Sequence, residues 1–137
     1  MNTQKLVGAL FMALSLVACS GDDNSDSPQQ MTNEELIIGK WYFESKTPGS
    51  YSDCEKMGYI DFRNDGTFTI ESFEDNTSTC TSTGAVTGTY TLINDVNITL
   101  MAGTETQTAT IQSISQSELV VIDTGSGDVN TFDRTAG

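Results

Sequence analysis

No histidine occurs anywhere in the 137 residues. That removes the commonest general base and the commonest metal ligand, and with them Ser-His and Cys-His nucleophile pairs and histidine-based zinc sites. Positive charge is scarce as well: six Lys and Arg stand against nineteen Asp and Glu, for a net charge of -13. Such a surface repels phosphate, so nucleic acid is not an expected partner, and direct adsorption onto anionic headgroups is opposed. The three cysteines form no C-x-x-C pair, which argues against a redox-active dithiol. The longest apolar stretch, residues 6–17, spans roughly 18 Å at about 1.5 Å per residue, short of the roughly 30 Å needed to cross a bilayer as a helix.

What is present begins with that short stretch. Residues 1–5 carry one lysine and lead into the apolar run, the anatomy of a signal peptide. After Cys19 comes Ser-Gly-Asp-Asp-Asn-Ser-Asp-Ser-Pro-Gln-Gln, with nothing apolar to bury, so residues 19–31 are expected to form an acidic tether. The remainder, 32–137, is long enough for one small domain with one core. The five basic residues beyond Cys19 face all nineteen acidic ones.

Within that domain Thr32-Asn33-Glu34-Glu35 has the form of a capping box, predicting one or two helical turns that end at Gly39. The period then changes from helical to alternating. Trp41 and Phe43 share one face of the first strand, followed by a loop at 46–55 containing Pro48 and Gly49. Gly58 to Arg63 and Thr67 to Glu71 flank Asn64-Asp65-Gly66, a hairpin signal. A two-residue loop would set Ile60 opposite Glu71; a three-residue loop pairs Phe62 with Phe68 and Ile60 with Ile70. Only the second gives one apolar face, because a one-residue slip turns every side chain over. The expected turn is therefore type I with Gly66 left-handed in a G1 bulge. The same segment places Asp61, Asp65 and Gly66 at calcium-loop positions one, five and six, but Arg63 at three and Ser72 at twelve break the pattern. No metal or other cofactor is expected.

Residues 75–85 read as a polar loop containing Cys80. Further strands are expected at 86–93 (Tyr90 and Leu92 inward), 96–101 (Val96, Ile98, Leu100), 106–115 (Ala109, Ile111), 118–123 (Leu119, Val121) and 128–134 (Val129, Phe132). Threonine- and valine-rich strands with a turn every 8 to 12 residues or so predict an all-β sandwich or barrel. The count is eight. Carboxylates such as Glu71 and Glu74 could serve glycoside chemistry, but exposed acids are the default in so acidic a chain, and no catalytic residue is assigned.

Leu16-Val17-Ala18-Cys19 resembles the bacterial lipobox, which implies cleavage after residue 18 and acylation of Cys19. Several acyl chains would then hold the protein on a membrane, since each buried CH2 contributes about 0.8 kcal/mol. The serine and clustered aspartates that follow resemble the export signal of surface lipoproteins in the Bacteroidota type of envelope, which implies the outer membrane and the cell surface; a plain solvated spacer is the alternative. With Cys19 assigned to lipid, Cys54 and Cys80 remain as one possible disulfide. Paired residues of the hairpin sum to 130 and these two sum to 134, which puts both near its open end.

Gly39-Lys40-Trp41 after a short helical entry, the Phe62 to Phe68 hairpin and Gly88-Thr89-Tyr90, taken with eight strands, resemble the small lipocalin-like domains of bacterial surface lipoproteins. The resemblance implies an eight-stranded antiparallel up-and-down barrel with a short N-terminal helix, an open β-sandwich being the alternative. It also implies that Arg134 lies over Trp41; a frayed terminal arginine beside a plain core tryptophan is the alternative. Eight strands enclose a space that is either filled by side chains or holds one small ligand. Trp41, Phe43, Ile60, Phe62, Phe68, Ile70 and Tyr90 are the candidate ligand-binding residues. The expectation is a monomeric, non-enzymatic, lipid-anchored binding module for a small apolar or amphipathic ligand. The alternative is a surface interaction protein that meets a protein or glycan through its loops.

Overall fold

The structure, a computed structural model, describes residues 28–137. The expectations for residues 1–18, for Cys19 and for most of the tether lie outside the described residues.

The capping box forms as the sequence predicts. Thr32 and Glu35 each accept from the other's backbone N–H and so satisfy two donors that a helix start leaves unpaired. The resulting helix α1 (Asn33–Ile37) is barely one turn and buries Ile37 to 1 % exposure. Eight strands follow: β1 (Gly39–Thr47), β2 (Tyr59–Phe62), β3 (Thr67–Asn76), β4 (Thr79–Ile93), β5 (Asn97–Ala102), β6 (Glu105–Ile114), β7 (Glu118–Asp123) and β8 (Val129–Asp133). Each pairs antiparallel with the next, and β8 returns to β1, with Phe43 opposite Phe132. The sheet is therefore a closed up-and-down barrel, and the sandwich alternative is excluded.

The hairpin register follows the apolar-face argument: Phe62 opposes Phe68, Ile60 opposes Ile70, and Gly66 adopts φ +81°. Gly88 is fixed by contact rather than by φ. A Cβ there would run into the Met101 carbonyl and come within 2.8 Å of the Phe68 ring.

Three expectations need correction. Residues 75–85 are not a loop. They continue β3 and β4 into a long hairpin arm that turns at Thr77-Ser78, both with positive φ, and pairs Asp75 with Cys80. The many threonines there suit strand as well as loop. Val96 is outside β5 and 37 % exposed, because Asn94-Asp95, both at positive φ, still turns the chain at that point. Val129 and Phe132 cannot share a face in a period-two strand. Phe132 points inward at 4 % exposure, in phase with Asn130, and Val129 faces the other side.

The two ends of the barrel differ. One is sealed by α1, Ile37 and Trp41, the last with no exposed surface. The other lies under the residue 48–58 connection, which carries a single 3-10 turn at Glu55–Met57. This connection is bonded to the arm through the Cys54–Cys80 disulfide, with a Cα–Cα distance of 5.4 Å. Cys80 sits on β4, one strand farther out than the hairpin arithmetic implies. The arm folds Cys80 back over Asp75, level with the Cys54 segment.

Candidate functional site

Inward-facing positions alternate along every strand, and where small residues stand among them the interior stays open. Three adjoining spaces run from the mouth toward the sealed base. The outermost, about 290 Å3, is walled by Phe68, Ile70, Val86, Leu100 and Ala102, with Glu105 and Gln107 at its edge. The second, about 140 Å3, shares Ile70, Leu100 and Gln107 with the first and adds Phe43, Tyr51, Ile60 and Phe132. The third, about 50 Å3, ends on Trp41, Phe62 and Leu119. Width falls toward the base because the side chains grow larger and more aromatic.

The seven candidate residues divide accordingly. Phe43, Ile60, Phe68 and Ile70 line the two larger spaces. Trp41 and Phe62 reach only the smallest. Tyr90 lines none of the three. Its ring stands edge-on to Phe62 at 4.9 Å, its hydroxyl donates to the Arg63 carbonyl at 2.9 Å, and it borders an outer groove beside α1. Alternation gives Leu100, Ala109 and Val121 as inward, and all three are wall residues. Glu105 and Gln107 go unassigned from sequence, although both are in phase with Ala109 and Ile111; that parity is the signal that finds them. Tyr51 carries no such signal, since it comes from an irregular loop.

Tyr51 stands at the mouth. Its ring centroid is 5.2 Å from that of Phe43, which is itself 5.2 Å from Phe132, and its hydroxyl donates to Asn130 Oδ1 at 2.7 Å. Burial, together with Glu55 and Asp128 nearby, pushes the Tyr51 phenol up to about 12. Asp123, on the same rim, accepts from the backbone N–H groups of Ser126 and Gly125, each at 2.8 Å. These bonds hold its carboxyl below the usual range, with Ser126 the largest influence.

At the base the Arg134 guanidinium carbon lies 3.4 Å from the centroid of the Trp41 ring. The same guanidinium donates to the carbonyls of Leu36 (2.8 Å), Lys40 (3.1 Å), Ile38 and Gln116 (both 3.2 Å). One side chain thus takes up carbonyls that the end of α1 leaves unpaired. Trp41 Nε1 donates to the Ile37 carbonyl at 2.8 Å. Glu71, considered for catalysis, is on the outer face and accepts from Tyr59 and Ser82, which lower its pKa, Ser82 the more strongly. Among the described residues no group of three or more acidic or cysteine side chains is placed to hold a metal ion.

A closed eight-stranded barrel with one end sealed by a helix and an arginine-covered tryptophan, and the other opening on an apolar chamber, defines a calyx-type fold. The chain belongs to the lipocalin-like domain family, whose sequence profile matches residues 37–121. That fold typically binds small hydrophobic ligands, and its members are typically not enzymes. Among solved structures it is similar to a lipocalin-like protein from Bacteroides uniformis, at 16 % identity and TM-score 0.56 over 73 % of this chain and 99 % of that one. It is also similar to a DUF4847 family protein from Bacteroides vulgatus, at 13 % identity and TM-score 0.50 over 77 % and 98 %. At these identities the likeness is one of fold. No curated protein matches the sequence.

Proposed function

We propose that this is a lipid-anchored lipoprotein of the bacterial outer membrane whose barrel binds one small apolar or amphipathic molecule. The observation that carries the binding reading is the apolar chamber of about 290 Å3 at the mouth, continued inward by a second of about 140 Å3. Pockets for small ligands begin near 300 Å3 and are mainly apolar with a few polar groups; this interior has that size and character. The anchor rests on the sequence context of Cys19: an apolar leader before it, Leu16-Val17-Ala18 at its N-terminal side and an acidic tether after it. In this reading the tether holds the barrel clear of the headgroups, and the domain works as a monomer.

Native mass spectrometry of the protein extracted from its own membrane tests both parts. The expected spectrum shows a chain beginning at a triacylated or diacylated Cys19, with a further non-covalent mass that is lost on collisional activation. An unmodified Cys19 overturns the anchor; extraction with no retained mass, together with no saturable uptake of apolar probes, overturns the binding reading.

A further inference from the structure

If the chamber takes an apolar or amphipathic ligand, as proposed, its rim narrows that class. The apolar walls make the site, and the polar groups around its mouth decide what head group can emerge there. Those groups are one-sided. Glu105 and Gln107 edge the outer space; Gln107, Thr108, Asp123, Asn130 and Tyr51 edge the second. Two carboxylates are therefore on the rim itself. Two more, Glu55 and Asp128, are close enough to act on the Tyr51 phenol. Among the described residues no lysine or arginine lines either space.

Four of the five basic residues of the described chain are engaged away from the mouth, and the fifth, Lys46, stands outside its lining. Lys40 lies over the Tyr59 ring at 3.9 Å, and Lys56 pairs with Glu44 at 3.3 Å. Arg63 bonds Thr69 at 2.8 Å, and Arg134 is at the opposite end of the barrel. Lys46 touches the rim only through the Tyr51 ring, at 4.6 Å, and has Glu55 at 3.9 Å as its counter-ion. A carboxylate or phosphate head group at the mouth would meet like charge from Glu105 and Asp123, and the one cation near it, Lys46, lies outside the lining and already has Glu55 as its counter-ion. Glu105, which makes no side-chain hydrogen bond or ion pair among the described residues, is free to meet a cation.

We infer that the barrel selects amphiphiles with a cationic or uncharged head group and rejects anionic ones such as fatty acids, with Glu105 a specificity-determining residue. Partly exposed charges within a Debye length of about 8 to 10 Å still interact, so the selection should weaken with salt.

The test uses three probes with one tail, decylammonium, decanol and decanoate, each displacing the neutral fluorophore N-phenyl-1-naphthylamine from the mature domain at pH 7.5. Decylammonium should bind at least tenfold more tightly than decanoate at 20 mM salt, with decanol between them. The gap should narrow in 0.5 M NaCl and in Glu105→Gln, whose exposed position spares the core. Decanoate binding as well as decylammonium would overturn the head-group inference and leave the chamber reading intact. A gap unchanged in Glu105→Gln would overturn the role of that residue. Failure of the fluorophore and all three probes to bind would instead overturn the chamber reading.

Discussion

The guanidinium of Arg134 is stacked on the ring of Trp41, 3.4 Å from its centroid, while its nitrogens bond four backbone carbonyls. The first strand and the end of the last are thereby joined at the base of the barrel, and α1 is held over it. A cation-π contact contributes about 0.5 to 2 kcal/mol, and a hydrogen bond to a charged group about 1.5 to 3. These are not additive. Arg134→Ala should therefore cost about 2 to 4 kcal/mol in chemical denaturation, and Arg134→Lys, which keeps the charge but loses the planar fork, at least half of that. A loss below about 0.5 kcal/mol in the alanine variant would show that the base is held by apolar packing alone.

The Cys54–Cys80 bond ties the mouth connection to the hairpin arm across a sequence separation of 26 residues. Loop-closure entropy for that length gives about 3 to 4 kcal/mol. Reduction, or the double variant Cys54→Ala with Cys80→Ala, should lower stability by that order. The barrel should keep its far-ultraviolet spectrum, because neither cysteine belongs to the main core cluster.

Gly88 and Gly66 are both glycines for different reasons, and their alanine variants should separate them. At Gly66 the cost is conformational, with φ +81° and the nearest foreign atom 3.8 Å from a new Cβ, so a loss of about 1 kcal/mol is expected. At Gly88 a methyl group must displace the Met101 backbone or the Phe68 ring. Overpacking of this kind costs about 1 to 3 kcal/mol or more, and Gly88→Ala should be the more damaging substitution in urea unfolding.

Tyr51 predicts a pH effect. Its folded pKa, about 12, lies above the ordinary tyrosine value near 10. A group raised on folding stabilises the native state fully below its unfolded pKa, and that contribution disappears as pH climbs from about 10 through 12. Absorbance titration at 295 nm should show a late phase near pH 12 that vanishes in Tyr51→Phe. The same variant should lose about 1 kcal/mol at neutral pH with the hydrogen bond to Asn130.

How far the sequence can be read depends on whether a residue's role is local or periodic. The Thr32/Glu35 capping box and the Phe62/Phe68 register follow from short-range rules, and both are legible in the amino-acid sequence alone. The barrel's inner face is legible wherever a strand alternates cleanly, as at Ile98 and Leu100 or Leu119 and Val121. The arm is hidden because Thr79 to Gly84 offers only Cys80 among threonine, serine and glycine: a strand that protrudes beyond its neighbours buries little and leaves no apolar alternation. The rim is hidden for two reasons. Glu105 and Gln107 are polar at inward positions, against the usual pattern, and Tyr51 reaches Asn130 across 79 residues of sequence. The stack of Arg134 on Trp41 follows only from the likeness to a known family, and the four carbonyls that Arg134 also holds have no counterpart in any sequence pattern.

The central claim is that the interior chamber takes up a ligand, and filling it tests this most directly. Ala102 lines the outer space, so Ala102→Trp occupies that volume without removing any existing contact. The affinity of the mature domain and of this variant for N-phenyl-1-naphthylamine should be measured by fluorescence titration, with folding checked by circular dichroism. Saturable one-to-one binding to the parent, weakened at least tenfold in a folded Ala102→Trp, is the predicted result. No saturable binding to the parent, or equal binding by both proteins, would contradict it.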